Sequence, residues 1–364
     1  MKIAILTLPI GSNYGGILQA YALQYTLYKL GHKSTIIEQQ YIQEINYLKI
    51  IFEIPKRLVT KYIFKKRKYI FSEHKNNKHQ IERRKYTNSF IKRYIQNEFV
   101  SNYNSINLSK FDAFVVGSDQ VWRPLYNWGN IDKMYLSFIP KESNIKRLAY
   151  AASFGTREWE YTDDQATTCA ELLSQFDGVS VRESSGVELC DKYLKRDDAV
   201  CVLDPTLLLD RGEYENLCTD IPAIDYNTLC AYILDLNDGI KQRLKIIANE
   251  KGLKLKIVSA DNNCSLTVPE WIAMFRDAKY IITDSFHGTV FSIIFNKEFH
   301  SIANIGRGGS RFTSLLSQFN LMSHLHASID EISLIDNSIK WDSVNAKRDD
   351  LKQYSINFLT SNLS

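Results

Sequence analysis

The sequence lacks most features that would place it in a specialised class of protein. Its six cysteines include no C-x-x-C pair, so their spacing predicts free thiols and not a zinc site or a disulfide framework. It has no run of about 18 apolar residues, so no membrane-spanning helix is predicted. Hydrophobic residues make up 45% and charged residues 24% of 364 positions, the balance of a globular protein. We therefore expect a cytoplasmic protein.

A glycine-rich loop is present, but it lacks the spacing of a nucleotide-binding loop. Residues 9–16 read PIGSNYGG, which fits neither G-x-G-x-x-G nor a P-loop with its Lys-Ser/Thr. A dinucleotide or ATP site is therefore not supported. The loop still lies between a predicted strand (2–8) and a predicted helix (17–30), where backbone N–H groups can face a phosphate. Asn13, Gly15 and Gly16 are its candidate binding residues.

The length of the chain exceeds what one hydrophobic core usually supports, so two domains are predicted. Short apolar strands alternate with helices in both halves, which is typical of parallel sheets covered by helices on both faces. We predict an α/β protein with two doubly wound, Rossmann-like domains facing a cleft. The predicted domains are residues 1–207 and 208–340, followed by a C-terminal helix at 341–364.

Positive charge is concentrated in residues 41–100, a predicted helical insertion in the first domain. This segment holds 15 Lys and Arg against five Glu, a local net charge of +10, whereas the whole chain carries +4. Two interpretations stay open: a solvated helical insertion whose aromatic residues face the core, or a contact with anionic lipid at the inner face of the cell membrane. No nucleic-acid-binding module surrounds the segment, so nucleic acid is not expected as a partner.

Residues 279–304 form the stretch around which we expect the site to be built. A predicted strand (280–282) ends in Asp284, Ser285, His287 and Gly288, and a predicted helix (289–295) and a strand (298–303) follow. This order of elements places His287 where the free N–H groups of a helix N-terminus would meet an anion. The alternative is that Asp284 caps the helix and His287 is an ordinary turn residue.

Polar residues also follow two predicted strands of the first domain. Ser118, Asp119 and Gln120 come after the strand at 111–116, and Arg182 follows the strand at 178–181. Strand ends of this kind line the crevice of a parallel sheet. For Arg182 the alternative is a structural salt bridge to Glu183 or Asp204. For Asp119 the alternative is a helix or turn cap.

Several motifs, taken together, resemble the polysaccharide pyruvyl transferase family. They are NYGG followed by LQAYAL, then GSDQVW, SVRE-x-x-G, LDPTLLL, TDSFHGTVFSIIFNK and RG-x-x-SR, spread over about residues 1–321. The resemblance implies a fold similar to the glycosyltransferase-B arrangement. It also implies transfer of the enolpyruvyl group of phosphoenolpyruvate to a sugar of a capsule or exopolysaccharide precursor. The products would be a pyruvate ketal and phosphate.

The chain departs from the family at one position. Members carry Arg-Leu-His where this sequence has Ser285, Phe286 and His287, so an arginine is absent. A serine hydroxyl cannot make the two parallel hydrogen bonds that a guanidinium makes to a phosphate or carboxylate. Either Arg307 or Arg311 supplies the charge from the next loop, or this protein uses another donor or acceptor.

The resemblance assigns roles that the chemistry of the donor can accommodate. Phosphoenolpyruvate carries a phosphate and a carboxylate, so Arg182, Arg307 and Arg311 are expected to bind it. We expect His287 to bind the donor and transfer a proton, because its ordinary pKa lies near neutral pH. Asp119, and after it Asp284, is the expected base for the acceptor hydroxyl. No metal and no cofactor is expected.

Two other functions stay open. The first is a nucleotide-sugar-dependent glycosyltransferase of the same architecture, because fold does not fix function. The second is a non-catalytic relative that binds a glycan. A lipid-linked oligosaccharide met at the membrane is a further hypothesis for the acceptor.

Overall fold

The computed structural model describes residues 1–39, 82, 84–127, 130–259, 266–303, 308–332 and 338–364. Within them the chain forms two β-sheets, one of seven strands and one of five, in which every strand pair is parallel. Helices connect successive strands. This architecture confirms the predicted α/β class with two Rossmann-like domains.

The first sheet is built from residues 2–201. Its strands are β1 (Lys2–Leu6), β2 (Lys33–Gln39), β3 (Asn97–Val100), β4 (Ala113–Val116), β5 (Lys146–Ala152), β6 (Gly178–Val181) and β7 (Val200–Cys201). The helices of this half are α1 (Tyr14–Lys29), α2 (Asn88–Tyr94), α3 (Pro124–Asn127), α4 (Asp163–Leu173), α5 (Ser184–Leu194) and α6 (Arg211–Leu217). A short 3₁₀ helix at Pro205–Leu208 precedes α6.

The second sheet is built from residues 228–326. Its strands are β8 (Thr228–Ile233), β9 (Lys254–Ser259), β10 (Tyr280–Thr283), β11 (Glu298–Ile302) and β12 (Leu325–His326). The helices are α7 (Asp238–Glu250), α8 (Val268–Asp277), α9 (Phe286–Ile294), α10 (Gly309–Gln318) and α11 (Trp341–Asn362). None of the helices in these described ranges is long and apolar enough to cross a bilayer.

Each sheet has one point at which the strand order reverses. The first sheet runs β3-β2-β1-β4-β5-β6-β7, so its reversal lies between β1 and β4. The second runs β12-β11-β10-β8-β9, so its reversal lies between β10 and β8. Open parallel sheets bind ligands at the carboxyl ends of the strands beside such a reversal. The loops after β1, β4, β8 and β10 are therefore the places where a site is expected.

The strands beside these reversals are buried on both faces. Every residue of β4 (AFVV), β8 (TLCAYI) and β10 (YIIT) is buried. Continuous apolar runs of this kind are typical of parallel strands covered by helices on both sides. The apolar run ends where each strand leaves the core, and the polar residues that follow emerge together at one edge.

Three elements differ from the sequence prediction. Helix α1 begins at Tyr14 and not at 17, because Asn13 is its N-cap. Helix α9 begins at Phe286 and not at 289, because Ser285 is its N-cap and the Ser285 hydroxyl accepts a hydrogen bond from Gly288 N at 3.3 Å. Strand β3 lies in the segment that was predicted to be a helical insertion, where it pairs with β2. The rest of the basic segment falls mainly on residues 40–81 and 83, outside the described residues.

The two halves are joined by apolar contacts and by the C-terminal helix. The Tyr14 ring at the start of α1 stacks on Trp271 of α8 with centroids 5.5 Å apart, and its hydroxyl donates to Leu266 O at 2.6 Å. Helix α11 returns to the first domain, where the buried Ser355 hydroxyl accepts from Leu203 N at 3.0 Å. These contacts hold the carboxyl edges of the two sheets against each other.

Candidate active site

Five charged or ionisable side chains meet where the two sheet edges face each other. The Arg182 guanidinium donates to Asp204 Oδ2 at 2.6 Å and to Asp119 Oδ1 at 3.1 Å. Arg311 Nη1 lies 3.8 Å from Asp119 Oδ1, and His287 Nε2 lies 3.8 Å from Asp204 Oδ2. All five residues are at least nine-tenths buried. We call Asp119, Arg182, Asp204, His287 and Arg311 the central cluster.

Each member of the central cluster is delivered by the end of a strand or the start of a helix. Asp119 follows β4 with a φ of 68°, a left-handed conformation that aspartate tolerates better than most residues. Arg182 follows β6 directly. His287 lies in the first turn of α9, and Arg311 lies in the first turn of α10.

The two carboxylate oxygens of Asp204 have different contacts, one with a helix N-terminus and one with the central cluster. Oδ1 accepts from Thr206 N at 3.0 Å and from the Thr206 hydroxyl at 2.5 Å, which caps the short helix at Pro205–Leu208. Oδ2 faces Arg182 and His287. The cap fixes the carboxylate plane, so the Asp204 side chain orients the arginine and the histidine together.

The Phe286 ring lies beside both arginines. The guanidinium carbon is 4.5 Å from the ring centroid for Arg182 and 5.3 Å for Arg311. The negative face of an aromatic ring attracts guanidinium groups, most strongly where water is excluded. The ring therefore helps to hold two like charges near one another at the start of α9.

Burial and ion pairing set the charges of the central cluster. Burial alone would raise the pKa of the Asp119 and Asp204 carboxyls, but Arg182 and His287 reverse this effect and the pKa of each is lowered. Burial would lower the pKa of Arg182, but Asp204 and Asp119 raise it. Burial lowers the pKa of Arg311 to about 10, and the neighbouring Arg182 contributes to that decrease. The two arginines thus differ, since the pKa of Arg182 is raised and that of Arg311 is lowered.

The environment of His287 disfavours its protonated form. Burial lowers its pKa below 6.5, and Asp204 and Asp119 only partly offset that effect. Among the described residues, no hydrogen-bond partner lies within reach of Nε2. On its other side the ring touches α1, because a Cβ added to Gly15 would lie 2.0 Å from His287 Nδ1. Glycine at position 15 therefore allows the two domains to approach at the histidine.

Glu183 is a third buried carboxyl next to Arg182, after Asp119 and Asp204. Its Oε1 accepts from the Ser153 hydroxyl and from Phe154 N, both at 2.9 Å. Burial raises its pKa, although Arg182 opposes the increase. This carboxyl ties the end of β6 to the end of β5 and thereby supports the position of Arg182.

Three predicted site residues around His287 have structural contacts. Both oxygens of Asp284 accept backbone hydrogen bonds at the end of β8, from Leu234 N at 2.6 Å and from Asp235 N at 3.1 Å. Ser285 caps α9 in the place that one interpretation gave to Asp284. A Cβ at Gly288 would lie 2.2 Å from Thr283 Oγ1, so glycine there allows α9 to pack against β10.

The predicted residues of the two loops in the first domain are also held by neighbouring groups. The Asn13 side chain caps α1 through Gly15 N, and the Ser118 hydroxyl donates to Gln19 Oε1 at 2.7 Å. Gln120 Oε1 accepts from Arg123 at 3.3 Å. Gly16 lies in the first turn of α1 behind Asn13. These residues shape the loops around the central cluster, and Arg307 lies outside the described residues.

Sequence reasoning left Asp204 out of the candidate site. It appeared there only as a salt-bridge partner for Arg182. The structure shows that ion pair, and donor binding by Arg182 stays a prediction. The signal was present, since Asp204 stands at the start of LDPTLLL just after a strand. No group of three or more His, Cys, Asp or Glu side chains suited to a metal ion occurs among the residues that the structure describes.

Solved structures with similar folds align along nearly the whole chain. UDP-GlcNAc 2-epimerase from Methanocaldococcus jannaschii, in complex with UDP-GlcNAc and UDP, is 14% identical with a TM-score of 0.44, over 95% of this chain and 98% of that one. UDP-N-acetylglucosamine 2-epimerase from Rickettsia bellii is 7% identical with a TM-score of 0.47, over 99% and 96%. An alpha-glucosyltransferase in complex with UDP and DNA is 10% identical with a TM-score of 0.44, over 99% and 95%.

The family is shown by sequence. No curated protein matches the chain. The family model described as polysaccharide pyruvyl transferase matches residues 13–306, which include the end of the glycine-rich loop, Asp119, Arg182, Asp204 and His287, and which end before Arg311. That match covers most of the 364 residues, and the chain belongs to the polysaccharide pyruvyl transferase family.

Proposed function

We propose that the protein transfers the enolpyruvyl group of phosphoenolpyruvate to two hydroxyls of a sugar in a cell-surface polysaccharide precursor. The observation that carries the proposal is the meeting of Arg182, His287 and Arg311, from three different loops, around Phe286. The donor has two anionic groups, and the central cluster offers two guanidinium groups beside a helix N-terminus. The family supports a transferase that acts on a polysaccharide.

Arg311 is our candidate for the charge that the family's missing arginine would provide. Its guanidinium carbon lies 5.3 Å from the centroid of the Phe286 ring. Phe286 directly follows Ser285, and Ser285 is the position at which family members carry arginine. Burial lowers the pKa of Arg311 to about 10, which means that its charged form is destabilised in the unliganded protein. A bound phosphate or carboxylate would offset that penalty, and part of its binding free energy would come from doing so.

His287 is our candidate for proton transfer to the donor. The phosphate dianion would raise the histidine pKa above its lowered value in the unliganded protein, so the ring would take up a proton as the donor binds. Transfer of that proton to the methylene carbon would form the methyl group and an oxocarbenium-like centre at the adjacent carbon. One sugar hydroxyl then attacks and loses its proton. The C–O bond to phosphate breaks, and the second hydroxyl attacks and loses its proton in turn.

Asp119 is our candidate base for an acceptor hydroxyl. In the unliganded protein its pKa is lowered by Arg182, so its carboxylate is a weak base. Donor anions would compete for Arg182 and Arg311 and weaken that ion pairing. The pKa of Asp119 would then rise towards the range in which a carboxylate accepts a proton effectively.

The test is to titrate the protein with phosphoenolpyruvate and to compare UDP, GDP and CMP in the same buffer. A ligand at about 100 times its dissociation constant adds about 2.7 kcal/mol to the free energy of unfolding, which is visible as a rise in Tm. We expect that rise with phosphoenolpyruvate and its loss in Arg311→Gln. In Arg311→Lys the rise should return in part, because lysine keeps the charge but cannot make the two parallel hydrogen bonds of a guanidinium. Arg211→Gln, a surface arginine paired with Glu215, is the matched control.

Turnover is then measured with phosphoenolpyruvate and a panel of hexose glycosides, by the new methyl signal of a pyruvate ketal in the proton NMR spectrum. A rise in Tm with one nucleotide and none with phosphoenolpyruvate would contradict the proposal and identify a nucleotide-sugar donor. Binding of phosphoenolpyruvate that is unchanged in Arg311→Gln would remove Arg311 from the donor site.

A further inference from the structure

A cavity of about 860 Å³ lies between the two domains beside the central cluster. Its walls come from the ends of β7 and β11, the first turns of α5 and α10, and the C-terminal helix α11. Ser184 is the second residue after Arg182, and Ser310 immediately precedes Arg311. Residues of the cavity wall are therefore adjacent in sequence to residues of the central cluster. A cavity of this volume has the size of a small-molecule binding site.

Hydroxyl groups dominate one end of the cavity. They belong to Ser184, Ser185, Ser310, Thr313 and Ser314. The first turns of α5 and α10 lie in this part of the wall, and neither N-cap residue makes a side-chain hydrogen bond, although the Ser184 N–H donates to the Ser314 hydroxyl at 3.0 Å. Helix N-termini with adjacent hydroxyls favour an anion, and most often a phosphate.

Two of these hydroxyls have no hydrogen-bond partner among the described residues. Ser185 is 9% exposed, and its Oγ is buried and unsatisfied in the cavity wall. Ser310 is half-buried as a residue, but its Oγ is also buried and has no partner among the described residues. A buried hydroxyl without a partner is destabilising, and a ligand oxygen at this place would satisfy it.

The remainder of the wall has the side chains that recognise a sugar. Arg157, Glu158 and Gln318 provide donors and acceptors for ring hydroxyls. Tyr354 of α11 lines the cavity and is 48% exposed, so its flat apolar ring can cover one face of a pyranose. Glu158 also makes this part of the wall less favourable for a second phosphate.

We propose that the cavity binds the acceptor as a phosphate ester of a sugar, with the phosphate at Ser185 and Ser310 and the sugar towards Tyr354. This inference rests on the proposed function, since it assigns the second substrate of the same transfer. It means that the protein acts on an activated precursor that still carries its phosphate, and not on the finished polymer. The source of the phosphate is either a nucleotide sugar or a lipid-linked sugar.

The test is calorimetric titration of the full-length protein with glucose 1-phosphate and with glucose, in the absence of phosphoenolpyruvate. We expect glucose 1-phosphate to bind at least about tenfold more tightly than glucose, because charge-assisted hydrogen bonds provide the difference. Ser310→Asp places a carboxylate where the phosphate would lie and should weaken glucose 1-phosphate at least about tenfold, while an acidic residue in the first turn favours the helix. Lys192→Gln, which makes the same change in net charge in the last turn of α5, is the matched control.

A second measurement keeps the proposal testable if Ser310→Asp fails to fold. Cys201 lines the cavity, and burial raises the pKa of its thiol to about 12, so its alkylation by iodoacetamide is measured at alkaline pH by peptide mass spectrometry. Glucose 1-phosphate should slow this alkylation, and glucose should not. Equal affinity for the two probes, or an unchanged affinity in Ser310→Asp, would overturn the proposal. The proposal would also be overturned if glucose 1-phosphate did not slow the alkylation of Cys201.

The two sources are distinguished with UDP-glucose and geranyl diphosphate. Tighter binding of UDP-glucose than of glucose 1-phosphate supports a nucleotide sugar, and tighter binding of geranyl diphosphate supports a lipid carrier. The donor is tested separately on the same samples. If phosphoenolpyruvate fails to bind while glucose 1-phosphate binds and protects Cys201, the proposed donor is wrong and the cavity assignment stands.

Discussion

At the scale of single residues, the central cluster is governed by what burial does to charge. Burial lowers the pKa of His287 and of Arg311, whereas Arg182 lowers the pKa of Asp119 and of Asp204. The charged forms of His287 and Arg311 are therefore the ones that a bound anion would stabilise. Such a site favours a ligand with more than one negative charge, which is the character of phosphoenolpyruvate.

The lowered pKa of His287 predicts how stability depends on pH. The unfolded chain binds a proton at an ordinary histidine pKa near 6.5, whereas the folded chain binds it only at a lower pH. The free energy of unfolding is therefore expected to fall as the pH drops below 6.5, by up to about 1.4 kcal/mol per pH unit for this one proton. Urea unfolding between pH 7.5 and 5.5 should show a shallower decrease in His287→Gln. Equal slopes in the two proteins would contradict the prediction.

The residues of the site were predicted from sequence only in part. Asp119, Arg182, His287 and Arg311 were identified because each follows a strand end or lies in a recognisable motif. Asp204 was missed as a member of the site because a carboxylate before proline and threonine is typical of a helix cap, and the sequence does not show that its second oxygen faces another loop. Contacts between loops that are far apart in sequence depend on packing.

At the scale of elements, the turn between β10 and α9 has separate residues for structure and for chemistry. Asp284 joins the ends of two strands through backbone N–H groups, and Ser285 starts the helix. Phe286 and His287 then face the arginines and Asp204. Asp284 and Ser285 thus stabilise the turn, whereas Phe286 and His287 contact the charged residues of the central cluster.

Replacement of Asp284 is expected to affect folding more than transfer. Asp284→Ala would remove the acceptor of the Leu234 and Asp235 N–H groups just after β8 and should lower the free energy of unfolding by about 1–3 kcal/mol. Asp284→Asn keeps one acceptor oxygen and should lose less. Guanidinium unfolding gives the stabilities, and ketal formation per folded molecule gives the activity. Loss of activity in a stable Asp284→Asn protein would instead restore Asp284 as a catalytic residue.

Elements were predicted better than their ends. The strands beside both sheet reversals are unbroken apolar runs, so their positions were clear from composition. The start of α9 was placed at 289 because the polar run that ends in Gly288 was interpreted as a turn, whereas Ser285 caps the helix and residues 286–288 form its first turn. Strand β3 was missed because a four-residue edge strand next to a basic stretch has too few buried positions to give a pattern.

At the scale of the whole molecule, the site exists only where the two domains touch. Asp119, Arg182 and Asp204 come from the first domain, and His287 and Arg311 come from the second. Two α/β domains could be predicted from length and from the alternation of elements. Their relative placement could not, because it depends on contacts such as that of Tyr14 with Trp271 that no local pattern reveals.

A matched pair of glycines tests this contact between the domains. Gly15→Ala would place a methyl group 2.0 Å from His287 Nδ1, and the clash should lower the free energy of unfolding by about 1–3 kcal/mol and reduce turnover. Gly16→Ala meets nothing closer than Asn13 Nδ2 at 3.5 Å, so it should be neutral or stabilising by up to about 1 kcal/mol. Urea unfolding and ketal formation measure both. Similar behaviour of the two variants would mean that the domains do not meet at His287.

The ring of Phe286 also has a consequence for the history of the family. An aromatic side chain at this position holds guanidinium groups from other loops, whereas the leucine of an Arg-Leu-His motif has no charged attraction for them. The aromatic ring would then compensate for the loss of the motif's arginine, because it holds an arginine from another part of the chain at the site. Relatives that carry Ser-Phe-His are expected to keep an arginine at the position of Arg311, and relatives with Arg-Leu-His are free to vary there. An alignment in which the two positions vary independently would show that no such exchange took place.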